Sequence, residues 1–135
     1  MPTVDLVDET YLRASIRRVA EVVHDRNRWS LWWPAVVPAV FMDRGEAGIR
    51  WNITGALVGS MEIWLESYPE PLGGVLMHFY LRADPSAPGS ATEPEPRSGR
   101  AATAESVRWA KATKAHFWAL KDELEAGQRC PEQST

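Results

Sequence analysis

Between residues 47 and 82 the chain alternates so strictly that only a sheet with one apolar face and one mixed face satisfies it. One parity supplies Ile49, Trp51, Ile53, Met61, Ile63, Leu65, Val75, Met77, Phe79 and Leu81, ten residues without a polar side chain. The other supplies Arg50, Asn52, Thr54, Ser60, Glu62, Trp64, Glu66, Leu76, His78, Tyr80 and Arg82. Successive side chains of a strand point to opposite faces, so the first set is the dry one. Turning the sheet over would bury Glu62, Glu66, Arg50 and Arg82, at several kcal/mol of desolvation for each ion left without a partner. Glycines and prolines at 45, 48, 55, 59, 69, 71, 73 and 74 divide the region into strands near 47–54, 57–68 and 73–82, with a further one at 36–43 before them.

The flanks supply what such a sheet needs to cover its dry face. Residues 4–14 read as another strand, with Leu6, Thr10, Leu12 and Ala14 on one parity. Ser15 is placed to cap a short helix whose Ile16, Val19, Ala20 and Val23 recur at helical spacing, and a second helical piece over 25–33 is stopped by Pro34. Residues 84–101 are rich in Pro, Ser, Thr and Gly and are expected to form a mobile loop. A long helix follows over 102–126, with Ala110, Thr113, Phe117, Leu120 and Leu124 on one face and Gly127 as its stop. At about 1.5 Å per residue it spans ~35 Å, the length of a ten-residue strand, so it suffices to cross the apolar face. The expectation is one α+β domain over 1–126, a curved antiparallel sheet of about five strands wrapped around a long C-terminal helix, with two short helices after the first strand and a disordered tail at 127–135. An apolar content of 44% is sufficient for one such core.

Charge and composition remove several functions. Fifteen basic residues against 18 acidic ones give a net charge of −3, and no basic run is present to neutralise successive phosphates, so no nucleic acid is expected as partner. No stretch of about 18 apolar residues exists to span a membrane, and no signal-peptide pattern opens the chain, which places it in the cytoplasm. The single cysteine, Cys130, excludes an internal disulfide. His24, His78 and His116 fall on three different elements without metal-ligand spacing, so neither a metal nor a cofactor is expected.

Two stretches carry a family resemblance. The passage Val22-Val23-His24-Asp25-Arg26-Asn27-Arg28-Trp29-Ser30-Leu31-Trp32-Trp33-Pro34 and the ending Ala119-Leu120-Lys121-Asp122-Glu123-Leu124-Glu125 resemble the SRPBCC superfamily, with its START-like helix-grip fold. Within it they look like bacterial members, of actinobacterial type, labelled polyketide cyclase/dehydrase and lipid transport. The resemblance implies a groove between sheet and last helix that receives a hydrophobic molecule, in relatives ranging from lipid carriers to cyclases. This chain departs in having five strands where six or seven are common, which implies a shallower groove or an edge covered by a second subunit.

The groove-lining candidates are Trp51, Met61, Ile63, Met77, Phe79, Thr113, His116 and Phe117, for a ligand of lipid or polyketide-like character. His116 is the one candidate for proton transfer in the rival reading, a cyclase or dehydrase, although a helix-edge histidine packed beside the sheet is the more frequent explanation. Thr113 reads as a helix hydroxyl bonded to its own backbone or as a ligand contact. Trp29, Trp32 and Trp33 read as structural wedges where the short helices meet the sheet. His78, Arg82, Glu62 and Glu66 share the wet parity and read as cross-strand ion pairs there. Trp64 and Tyr80 on that same face suggest a homodimer contact, and with it a third reading in which the groove is a filled core and the protein an interaction module.

Overall fold

The computed structural model describes residues 2–133, with side chains as far as Ala126. Its elements are β1 (Val4–Leu12), α1 (Ile16–Val23), α2 (Arg26–Trp32), β2 (Val36–Asp43), a 3-10 turn (Gly45–Ala47), β3 (Gly48–Gly55), β4 (Leu57–Ser67), β5 (Val75–Pro85) and α3 (Gly99–Gln133). The five strands form one open antiparallel sheet in the order β1-β5-β4-β3-β2. The expected class is therefore the observed one. All ten apolar-parity residues between Ile49 and Leu81 are buried on the helix side.

Local chemistry sets the helix starts. The Ser15 hydroxyl accepts from the Arg18 amide at 3.1 Å and caps α1, while the Asp25 carboxylate accepts from the Asn27 amide at 3.0 Å and caps α2. On α3, Thr113, Phe117, Leu120 and Leu124 are buried in a stripe at spacings of 3 and 4, as the periodicity predicts.

Four boundaries differ from expectation. β1 ends at Leu12, two residues early. Strand β5 runs on to Pro85, because Ala83 and Pro85 continue the ladder opposite Gly59 and Leu57. Helix α3 begins at Gly99 and its backbone continues past Gly127 to Gln133, so its length is about 52 Å rather than ~35 Å. The expected disordered tail, 127–135, lies outside the described side chains. The Pro-rich segment is thereby shortened at both ends. What remains of it is bonded to the sheet: Gly55 donates to the Ala91 carbonyl at 2.8 Å, and the Arg97 amide to the Thr3 hydroxyl at 2.8 Å.

The long helix does not cross the middle of the apolar face. It lies along β1, where Lys114 meets Asp8 at 2.7 Å, Lys121 donates to the Tyr11 carbonyl at 2.7 Å, and the Arg13 amide donates to Glu125 at 3.2 Å. Twelve residues of helix from Lys114 to Glu125 and six of strand from Asp8 to Arg13 both advance about 16 Å, so the two run side by side. Trp29, Trp32 and Trp33, all buried, cover the part of the face that the helix leaves free. A bidentate pair between Arg28 and Glu123, at 3.1 and 2.5 Å, ties α2 to α3.

Two outcomes follow. Gly48 has φ 132° and lies so close to β4 that a Cβ would overlap the Ile63 carbonyl oxygen. Gly48→Ala is expected to cost at least ~2 kcal/mol in urea unfolding, from backbone conformation and ladder disruption together. The Glu123 carboxyl is held below its ordinary value of 4.5, chiefly by the hydrogen bond from Arg28. The pair's contribution is then present at neutral pH and lost as pH falls through the lowered folded-state value. Wild type should exceed Glu123→Gln in unfolding free energy at about pH 7, by under ~1 kcal/mol because the pair is half-exposed. The difference should shrink as pH falls below the ordinary carboxylate range and through that lowered value.

Candidate functional site

The space between the sheet and the helices is filled by buried aromatic rings. Trp33 stacks on Phe79 at 5.8 Å and 13°, Phe79 meets Phe117 edge-on at 5.3 Å, Phe117 meets Trp32 at 5.8 Å, and Trp32 meets Trp33 at 5.5 Å. These four rings close a circuit through α2, its C-cap residue Trp33, β5 and α3. Trp51 joins it from β3, 5.2 Å from Trp33 and 5.2 Å from Trp29. The sequence pattern Trp-x-x-Trp-Trp-Pro makes this possible. Helical spacing aims Trp29 and Trp32 from α2 toward the sheet, while Trp33 leaves the helix at φ −132° just before Pro34 and lies flat on Phe79.

Of the eight groove-lining candidates, seven are buried: Trp51, Met61, Ile63, Met77, Phe79, Thr113 and Phe117. His116 is not one of them, being half-exposed on α3. Phe79 and Phe117 are in direct contact, and the wedging expected of Trp29, Trp32 and Trp33 places those rings between the sheet and the helices. Trp29 satisfies its indole N–H on the Val23 carbonyl at 2.7 Å. The Trp51 N–H, by contrast, is buried with no acceptor.

One polar spot on this face escaped the sequence reading. Asp8 and Thr10 lie on the same parity of β1 as Leu6 and Leu12, facing α3. The Asp8 carboxylate accepts from the Thr10 hydroxyl at 3.0 Å and pairs with Lys114 at 2.7 Å, with a side chain only 10% exposed. Counting every second residue from Val4 would have found it: Val4, Leu6, Asp8, Thr10, Leu12.

The opposite face of the sheet is wet, as expected, with one exception. His78 is only 7% exposed. Its Nδ1 lies 2.8 Å from Glu9 and its Nε2 3.1 Å from Glu66, and its ring stacks on Trp64 at 4.8 Å and lies parallel to Tyr80 at 6.5 Å. The expected ion pairs exist here, but the histidine is enclosed between flat neighbours rather than solvated. Trp64 keeps 41% of its surface exposed. Elsewhere on this face Arg44 pairs with Glu62 at 2.9 Å, and Arg82 lies 3.6 Å from Asp5.

No helix among the described residues is long and apolar enough to cross a membrane. No protein-family model matches the chain, and no curated protein matches it in sequence. Solved structures do match. The solution structure of the Aha1 dimer from Colwellia psychrerythraea is similar with a TM-score of 0.58 at 13% identity, covering 92% of this chain and 98% of that one. The crystal structure of DR_A0006 from Deinococcus radiodurans gives 0.57 at 14% identity, over 91% and 98% of the two chains. At such identity the likeness concerns the fold alone, and that fold is the helix-grip arrangement of an antiparallel sheet and a long C-terminal helix.

Proposed function

We propose that the chain binds a small apolar molecule carrying one acceptor oxygen, in the groove between the sheet and α3. The observation that carries this reading is the Trp51 indole N–H, wholly buried and without an acceptor. A buried donor left unpaired costs about 1–3 kcal/mol, which an oxygen supplied by a ligand would recover. Around it the walls are apolar, and Met61 and Met77 are unbranched side chains that can adapt to an occupant's shape. Trp33 and Phe117 occupy the groove, so entry requires their rings to turn aside. Thr113 and the half-exposed His116 would meet the ligand on the helix side.

Native mass spectrometry of the purified protein, followed by denaturing extraction, should release a lipid or polyketide-like mass in stoichiometric amount. Saturation with such a ligand at a hundredfold its Kd would add about 2.7 kcal/mol of stability, a rise of several degrees in Tm. For ligands bearing oxygen that rise should shrink in Trp51→Phe, and for a hydrocarbon of equal length it should not. A bare chain, with no Tm response to fatty acids or aromatic polyketides, would make the groove a filled core and end the proposal.

A second reading concerns the wet face. The exposed ring of Trp64, stacked on His78, favours a homodimer through the Trp64 and Tyr80 surface, and the similar Colwellia structure is described as a dimer. Sedimentation should then give a dimer mass that Trp64→Ser converts to monomer. An unchanged mass in the variant removes this reading.

A further inference from the structure

On the wet face a depression of about 260 Å³ opens between β3 and β5, lined by Arg50, Ser60, Met61, Glu62, Tyr80 and Arg82. Strand register explains it. Ser60 lies opposite Asn52 on one side and Arg82 on the other, and the next outward pair along β4 sets Glu62 between Arg50 and Tyr80. A short serine among long neighbours leaves a hollow with two guanidinium groups diagonally across it.

Charge in this hollow is unbalanced. Glu62 is engaged by Arg44 at 2.9 Å, and Arg82 only leans toward Asp5 at 3.6 Å. Arg50 has no carboxylate partner among the described residues; its guanidinium lies over the Phe41 ring, 5.5 Å from the centroid. Of the residues that line the hollow, Arg50 and Arg82 carry two positive charges against the one carboxylate of Glu62. The Phe41 ring limits the conformations of Arg50, so less freedom is lost when an anion is taken up.

We propose that this depression binds a small organic carboxylate, held by Arg50 and Arg82 from two sides with the Ser60 and Tyr80 hydroxyls as further donors. A planar guanidinium fork matches a carboxylate better than any other side chain does. The volume lies below the ~300–1,000 Å³ of drug-sized sites, which limits the ligand to a small acid. Because the arginines are partly solvated, affinity falls in the range of about 1 mM and weakens with salt. This site is separate from the apolar groove and does not depend on that groove binding anything.

The test is a titration of the ¹⁵N-labelled chain with benzoate, read by amide chemical shifts, with inorganic phosphate in parallel. Benzoate should give saturable shifts at Asn52, Ser60 and Arg82, and Arg50→Gln should weaken binding about tenfold while leaving the rest of the spectrum unchanged. Trp64→Ser, whose side chain does not line the hollow, is titrated beside wild type. Binding by the variant when wild type is silent would support the site and show that self-association covers it. Three results overturn the proposal: no saturation in either protein, equal affinity in Arg50→Gln, or phosphate binding as tightly as benzoate.

Discussion

The closed circuit of Trp33, Phe79, Phe117 and Trp32 is the contact on which the other layers depend. Each aromatic side chain buries some 150–250 Å², and edge-to-face or offset pairs add roughly 0.5–1.5 kcal/mol each beyond that area. The circuit draws on three separated stretches of chain, so it fixes α2, β5 and α3 against one another at once. Loss of any one ring would leave the other three facing a void, and the cost would be shared by all three elements. The Arg28–Glu123 pair lies near the solvent end of the same α2–α3 contact and orients it, but an exposed pair could not hold it alone.

This packing also explains why the long helix sits to one side. The tryptophans around α2 occupy the part of the dry face around Trp51 of β3 and Phe79 of β5, so α3 is displaced onto β1, and its seam is drawn together by Asp8–Lys114 and by Lys121 on the Tyr11 carbonyl. Trp51 is left beneath aromatic neighbours that have no acceptor to offer its N–H. The wet face follows another logic. Its charges pair across strands, His78 is enclosed by Glu9, Glu66 and flat rings, and Arg50 is the cation that its neighbours leave without a carboxylate among the described residues.

Much of this was legible in the chain. Strict period-two alternation from Ile49 to Leu81 assigned the two faces, and spacings of 3 and 4 from Thr113 to Leu124 assigned the helix stripe, because burial acts on one residue at a time and leaves a periodic trace. Asp8 was overlooked because a charged residue interrupts the pattern of β1, and only its pairing with Lys114, 106 positions later, makes its burial tolerable. The helix start was misplaced because Gly99, Arg100 and Ala101 belong by composition to the Pro-rich stretch before them. Likewise, His78 looked like a surface histidine until Trp64 and Tyr80 were seen on either side of it.

By itself the sequence determined the class of fold, the dry and wet faces of the sheet, the apolar stripe of the last helix and the tryptophans as wedges. All of these depend on local periodicity and on the size and polarity of single side chains. Tertiary structure alone decided that the helix lies on β1, that four rings close a circuit between the sheet and the helices, that the Trp51 N–H lacks an acceptor and that Ser60 leaves a hollow between two arginines. Each of these is a relation between residues distant in the chain, set by strand register and ring geometry, and no local pattern encodes such a relation.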